Sequence, residues 1–240
     1  MQDNKGNLYL IPTPLGDNAP LEVLPISVKK IIESINDYIV ENEKTARRFI
    51  KKISSGKSQS SLNIHILNKY TEQSELPIFL QACKLGKSVG LLSEAGCPGI
   101  ADPGAEIVKI AHENNIRVIP LVGPSSILLA LMSSGMNGQS FTFNGYLPID
   151  KGERKAKLKL LERISSDQNQ SQIFIETPYR NNKMLEDICL TLQNQTRVCV
   201  ACDITLSTEF IKTKTVEDWK RNTIDLHKRP TIFIIQKDKL

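Results

Sequence analysis

The chain has 240 residues, 40% hydrophobic and 24% charged, with a formal net charge of +5. That balance describes an ordinary globular protein, with enough chain for one large or two small cores. No apolar run reaches the roughly 18 residues of a membrane helix, so no spanning segment is expected. The opening Met1–Gly6 has no basic-then-apolar leader pattern, so a cytoplasmic location is expected.

In chain order, strand-like runs fall at Asn7–Ile11, Asp37–Val40, Ser88–Leu92 and Ile116–Leu121. Helical patterns at Leu21–Ile35, Lys44–Ile53, Leu76–Leu85 and Gly104–Asn114 alternate with them. A β-α-β-α rhythm predicts a mostly parallel, Rossmann-like sheet with helices on both faces. Residues 54–63 hold five serines and read as a loose loop, the segment most prone to disorder.

The second half has another texture. A helical pattern at Ser125–Ser134 precedes strand-like Phe141–Phe143, Gln172–Glu176, Arg197–Asp203, Glu209–Thr215 and Thr231–Gln236. Helices are predicted at Lys151–Ile164, Asn181–Leu192 and Val216–Asn222. The runs near 200 and 210 are close enough for an antiparallel hairpin, which makes the second sheet mixed. The change of texture near Pro120–Gly123 predicts an α/β protein of two α/β/α domains, 1–120 and 121–240.

Two helices are strongly basic. Ala46, Phe49, Ile50 and Ile53 share one face of the first. Arg47, Arg48, Lys51 and Lys52, with Lys44, supply most of the rest. The second carries Arg154, Lys155, Lys157, Lys159 and Arg163 beside an apolar stripe of Leu160, Leu161 and Ile164. Such faces either grip a phosphate backbone or are simply solvated. Aromatic residues for base stacking are few.

Several chemistries lack their residues. There is no G-x-x-x-x-G-K-[ST] loop, no G-x-G-x-x-G and no G-x-S-x-G elbow. His65, His112 and His227 are far apart, so no metal site is expected. The number of cysteines is odd, and Cys199 and Cys202, three apart on a predicted strand, point to opposite faces and read as buried small residues rather than a redox pair.

What remains is a set of loops at strand ends. Ser93–Gly104 packs three glycines and two prolines into its last nine residues, and Asp102 stands ready to cap the helix that Pro103 opens. Stiff, glycine-lined loops at carboxyl ends of strands are where open α/β sheets hold ligands. Leu10–Asn18, Pro120–Ser126, Asn144–Pro148 and Ile175–Arg180 have similar composition, and loops from both halves would line one cleft between the domains.

T-P-L-G-D, S-E-A-G-C-P-G-I-A-D-P-G, G-P-S-S, S-G-M with F-T-F-N-G-Y-L-P, and E-T-P-Y-R occur in that order between about Asn7 and Asn194. Together they resemble the tetrapyrrole methylase superfamily, the class III S-adenosylmethionine-dependent methyltransferases. Within it the chain is most similar to the small-subunit ribosomal RNA ribose 2′-O-methyltransferases. The resemblance implies the tetrapyrrole methylase fold, S-adenosyl-L-methionine as cofactor, a small-subunit RNA partner and a homodimer. It implies cofactor contacts at Pro14, Ser93, Glu94, Ala95, Gly96, Asp102, Pro103, Gly104, Ser125, Ser126, Glu176, Thr177, Pro178 and Thr231. Arg47, Arg48, Lys51, Lys52, Arg154 and Lys155 become candidate RNA contacts.

The chain also departs from these relatives. Gly16-Asp17 stands for their G-N, Glu41-Asn42-Glu43-Lys44 for E-D-T-R, and Thr205–Phe210 for T-K-x-x-E-E. Methyl transfer to a ribose hydroxyl requires removal of its proton. Asp17, Glu41, Glu43 and Lys44 are the candidates, and the residues leave the choice open. A small-molecule or protein acceptor, or a non-catalytic RNA-binding role, are the competing readings.

Overall fold

The computed structural model describes residues 5–222 and 224–238, so residues 1–4, read above for a leader, lie outside it. The chain divides into two compact units, Met1–Ser125 and Ser126–Leu240.

The first unit is built on five parallel strands: β1 (Leu8–Ile11), β2 (Asp37–Val40), β3 (Asn63–Ile66), β4 (Val89–Leu92) and β5 (Val118–Pro120). Their spatial order is β3-β2-β4-β1-β5. Alternating side chains serve opposite faces. Ile11, Tyr38, Val40 and Leu92 pack under α1 (Pro20–Val23), α2 (Ile26–Ser34) and α3 (Glu43–Ile53). Leu8, Ile39, Val89 and Leu91 pack under α4 (Leu76–Phe79), α5 (Gln81–Lys84) and α6 (Gly104–Glu113). Gly90 keeps the first face close-packed, because a Cβ there would stand 2.7 Å from Ile11 Cδ1 and 2.9 Å from Ile35 Cδ1.

Three expectations change here. The single helix expected at Leu21–Ile35 is two, since Leu24 precedes Pro25 and takes the extended conformation that proline imposes. The helix expected at Leu76–Leu85 is also two, α4 and α5, parted at Leu80. The serine-rich segment is not a loose loop throughout. It buries Ser54 and Leu62, makes a 3-10 turn at Gln59–Ser61 and feeds β3, an edge strand too short and polar to announce itself.

In the second unit, β6 (Phe141–Tyr146) pairs parallel with β7 (Ser171–Ile175), while β8 (Arg197–Cys202), β9 (Phe210–Thr215) and β10 (Thr231–Gln236) pair antiparallel, in the order β6-β7-β10-β8-β9. The sheet is therefore mixed. Phe174, Val198, Val200, Cys202, Phe233 and Ile235 meet α8 (Lys151–Gln168), α9 (Asn181–Thr191) and α10 (Val216–Arg221). The opposite face carries α7 (Ser126–Ser134). Cys199 and Cys202 are both fully buried, and only Cys202 belongs to the core under α8–α10.

The inward face of α8 departs from the expected Leu160-Leu161-Ile164 stripe. Arg154, Leu158, Leu161, Glu162 and Ser165 are buried, while Leu160 is 37% exposed. The two buried charges are compensated. Glu162 accepts hydrogen bonds from Gln193 N–H at 2.8 Å and from the Thr196 hydroxyl. Arg154 Nη2 lies 2.5 Å from Asp187 Oδ2, and its Nη1 donates to the carbonyls of Pro148 and Ile149. Arg154, expected on the basic surface, is instead 7% exposed and committed to an ion pair with Asp187.

Candidate functional site

In the first unit two strand-end loops are joined. The chain leaving β1 reaches Thr13, whose N–H donates to the Gly96 carbonyl at 3.0 Å, and Gly96 N–H returns a bond to the Thr13 carbonyl at 3.1 Å. The buried Thr13 hydroxyl donates to the Ser93 carbonyl and Ser93 Oγ donates to the Gly96 carbonyl. Gly96 and Gly99 hold positive φ, at 76° and 80°, where a side chain is strained. Ala101 also has positive φ, at 61°, and is the one loop residue that accepts this without being glycine.

Asp102 organises the far end. Its Oδ1 accepts from Gly99 N–H and from Gly104 N–H, both at 2.8 Å. Helix α6 begins at Gly104, where the helical pattern was expected, with Pro103 rather than Asp102 in the cap position. A Cβ on Gly104 would press against Asp102 Oδ1 at 2.9 Å and Leu91 Cδ2 at 3.0 Å. Burial pushes the Asp102 carboxyl up, and the two N–H groups pull against that. Both bonds fall on Oδ1, so Oδ2 keeps its capacity to accept.

Beside this loop lies a cavity of about 320 Å³, walled by Thr13–Asn18, by Ser93 and Glu94, and by Thr45, Arg48 and Lys52 of α3. Asn42 caps α3 by accepting from Lys44 N–H and Thr45 N–H. The Thr45 hydroxyl has two acceptors for its one proton, Glu94 Oε1 at 2.7 Å and the Asn42 carbonyl at 3.0 Å. Glu94 N–H in turn reaches Glu41 Oε1 at 3.4 Å.

The second unit has its own cluster. The buried Glu176, just after β7, accepts from Thr177 N–H at 2.6 Å and from Arg180 Nη2 at 2.5 Å. Since Ile175 pairs with Ile232, Glu176 falls next to Thr231 at the same end of the sheet. The Thr231 hydroxyl donates to the Arg229 carbonyl at 2.9 Å. Pro178 accepts from Lys228 N–H. Arg229 Nε donates to Asp203 Oδ2, which also accepts from the Thr208 hydroxyl.

No family model matches the chain. Curated relatives do. Ribosomal RNA small subunit methyltransferase I of Buchnera aphidicola (subsp. Schizaphis graminum) is 30% identical over 234 residues, 96% of this chain and 78% of the relative. The chain belongs to this family. The namesake from Vibrio cholerae is 29% identical over 85% of this chain and 67% of its own length. Among solved structures, the methyltransferase CobJ superposes with a TM-score of 0.64 at 14% identity, covering 97% of this chain and 94% of its own. Cobalt precorrin-4 methyltransferase CbiF gives 0.61 at 13% identity, covering 96% and 94%. At that identity the likeness shows the tetrapyrrole methylase fold alone.

Within this methyltransferase I family the departures noted in the sequence have local readings. Asn42 replaces aspartate in E-D-T-R, yet asparagine caps a helix as well as aspartate does. In place of T-K-x-x-E-E, Thr205 N–H donates to Glu209 Oε2 at 2.8 Å, so one carboxylate still closes the β8–β9 turn. Of the proton-acceptor candidates, Asp17 is 95% exposed and bonded to Lys52, which holds its carboxyl low. Glu43 is tied to Arg47 at 2.7 Å, and Lys44 is an exposed cation. Glu41 differs: burial raises its pKa, with the Asp102 and Glu94 charges acting in the same direction.

The basic positions also differ among themselves. Arg47 is committed to Glu43 and to the Gln59 carbonyl. Arg48, Lys51 and Lys52 are exposed, and Lys155 is half-buried. Pro14, Ser93 and Glu94 line the cavity, Ala95 is exposed, and Ser125 and Ser126 lie at the start of α7. Thr13, Thr45 and Arg180 were not singled out from sequence. Thr13 and Arg180 stand inside the T-P-L-G-D and E-T-P-Y-R motifs. Thr45 carried no signal, because its partner Glu94 is 49 residues away.

Proposed function

We propose that this chain transfers a methyl group from S-adenosyl-L-methionine to a ribose 2′-hydroxyl of small-subunit ribosomal RNA. Membership of the methyltransferase I family is the observation that carries the reading. The chemistry of the Ser93–Gly104 loop fits the cofactor. Asp102 Oδ2 is an acceptor for a hydroxyl or an ammonium, and a Cβ on Gly99 would meet nothing within 4 Å, so that side of the backbone is open to a ligand.

The residues proposed to hold the cofactor are Pro14, Ser93–Gly96 and Asp102–Gly104 of the first unit, with Ser125 and Ser126, and Glu176–Pro178 and Thr231 of the second. Bound S-adenosylmethionine supplies a methyl group already activated by its sulfonium. The protein's part is then positioning and proton removal. We assign the hydroxyl proton to Glu41, whose carboxylate meets the N–H of the cavity-lining Glu94 and whose pKa burial raises, whereas that of Asp17 is lowered by Lys52.

The test is incubation with labelled S-adenosylmethionine and small ribosomal subunits from a strain lacking the gene. Label in the RNA, lost on nuclease treatment, is expected. Calorimetric cofactor binding without label in the RNA overturns the reading. A cytoplasmic location is proposed from the ribosomal substrate; no helix among the described residues is long and apolar enough to cross a membrane. The homodimer implied by the resemblance is checked by sedimentation velocity, where a monomer throughout the micromolar range removes it.

A further inference from the structure

The cavity beside the glycine loop has a charged mouth whose pieces are unevenly committed. Arg47, one residue before the cavity-lining Arg48, is held by Glu43 and by the Gln59 carbonyl. Arg48 makes no hydrogen bond or ion pair to any described residue, although its charge helps hold the Asp17 carboxyl low. Lys52 reaches across from α3 and donates to Asp17 Oδ1 at 2.6 Å. The Asp17 side chain is 95% exposed, and Lys52 is its one hydrogen-bonding partner among the described residues.

An ion pair so open to water contributes little to stability. Its consequence is local instead. A carboxylate oxygen occupies the Lys52 ammonium at the place a phosphate oxygen would take, next to the Arg48 guanidinium, which donates no hydrogen bond to any described residue. A guanidinium fork matches phosphate geometry bidentately, and an ammonium serves it as a point charge. Arg47, Arg48, Lys51 and Lys52 also line an adjoining depression, so positive charge continues along α3 from the cavity mouth.

We propose that Arg48 and Lys52 form a seat for a backbone phosphate of the acceptor RNA, and that Asp17 fills it as an internal substitute until the RNA displaces it. The proposal rests on the reading of the acceptor as RNA. A phosphate so held brings its neighbouring ribose into the cavity, toward Thr45, Ser93 and Glu94. Asp17 then acts as a selectivity element. A polyanion with several phosphates on α3 opens the Asp17–Lys52 pair, and a lone anion competes poorly with a tethered carboxylate.

The test measures filter binding of purified small-subunit ribosomal RNA to wild type, D17N, R48A, R48K and K52A across a salt series, with calorimetric S-adenosylmethionine affinity and thermal melting as controls. R48A and K52A are expected each to lower the slope of log affinity against log salt by about 0.7–0.9, the share of one phosphate contact. R48K should retain the slope but lose part of the affinity. D17N should bind RNA roughly three- to tenfold tighter than wild type, because the competing carboxylate is gone. Cofactor affinity and melting should not move. An unchanged slope in R48A, no tightening in D17N, or no RNA binding by wild type overturns the seat. Label incorporation is scored separately. Absent label beside the expected slopes would end the methyl-transfer reading and leave the seat standing.

Discussion

Thr13 and Gly96 exchange reciprocal backbone hydrogen bonds at 3.0 and 3.1 Å, and this isolated two-residue bridge makes one structure of loops that leave two different strands. The glycine is required on two counts. Its φ is 76°, and a Cβ would stand 3.3 Å from the Pro124 carbonyl and 3.2 Å from Leu15 Cδ2. Gly96→Ala is expected to lower unfolding free energy by about 1–2 kcal/mol, the cost of a left-handed alanine. Urea denaturation reads this, and a value within error of wild type would show that the loop adapts.

Asp102 separates folding from binding. Asp102→Asn keeps an oxygen for the Gly99 and Gly104 N–H groups but removes the charge. Stability should fall little, while S-adenosylmethionine affinity should drop about tenfold or more, as for a lost hydrogen bond to a charged group worth about 1.5–3 kcal/mol. Asp102→Ala should lose both. Calorimetry checks the first statement, and equal affinity in Asp102→Asn would remove Asp102 from the cofactor contacts.

Glu41 predicts a pH effect of definite sign. Its folded pKa is raised by burial above the ordinary 4.5, so protonation favours the folded state. The stability that protonation brings is complete below the unfolded pKa and is lost as pH rises through the folded one. Glu41→Gln should therefore be more stable than wild type at pH near 7, and the two should converge below pH of about 4. Paired denaturation curves at the two pH values decide it. In the transfer reaction the same substitution should depress kcat much more than KM.

Arg154 gives a prediction opposite to its composition. Arg154→Ala leaves Asp187 buried without its guanidinium and is expected to cost about 3–5 kcal/mol. The paired change Arg154→Met with Asp187→Leu should recover much of that. Neither should alter the salt dependence of RNA binding, and a reduced slope would return Arg154 to the RNA surface.

The sequence alone determined what is local. Period-two and period-3.6 apolar patterns placed most strands and helices to within a few residues, because each element buries one face and repeats accordingly. The glycines and Asp102 of the central loop were legible because positive φ and helix capping each demand a small set of residue types. The ordered motifs carried the superfamily. Other features needed partners distant in the chain. The buried carboxylate of Asp187, 33 residues away, turned a surface-looking arginine into a core ion pair. Likewise, β3 is a strand only because β2 offers it an edge. Lys52 and Asp17 meet across 35 residues. The last strand, Thr231–Gln236, reads plainly as a strand, yet its place in mid-sheet between β7 and β8 comes from pairing across long separations. A residue's neighbours along the chain set its backbone preference. Its charge state, burial and function depend on which surfaces the fold brings against it.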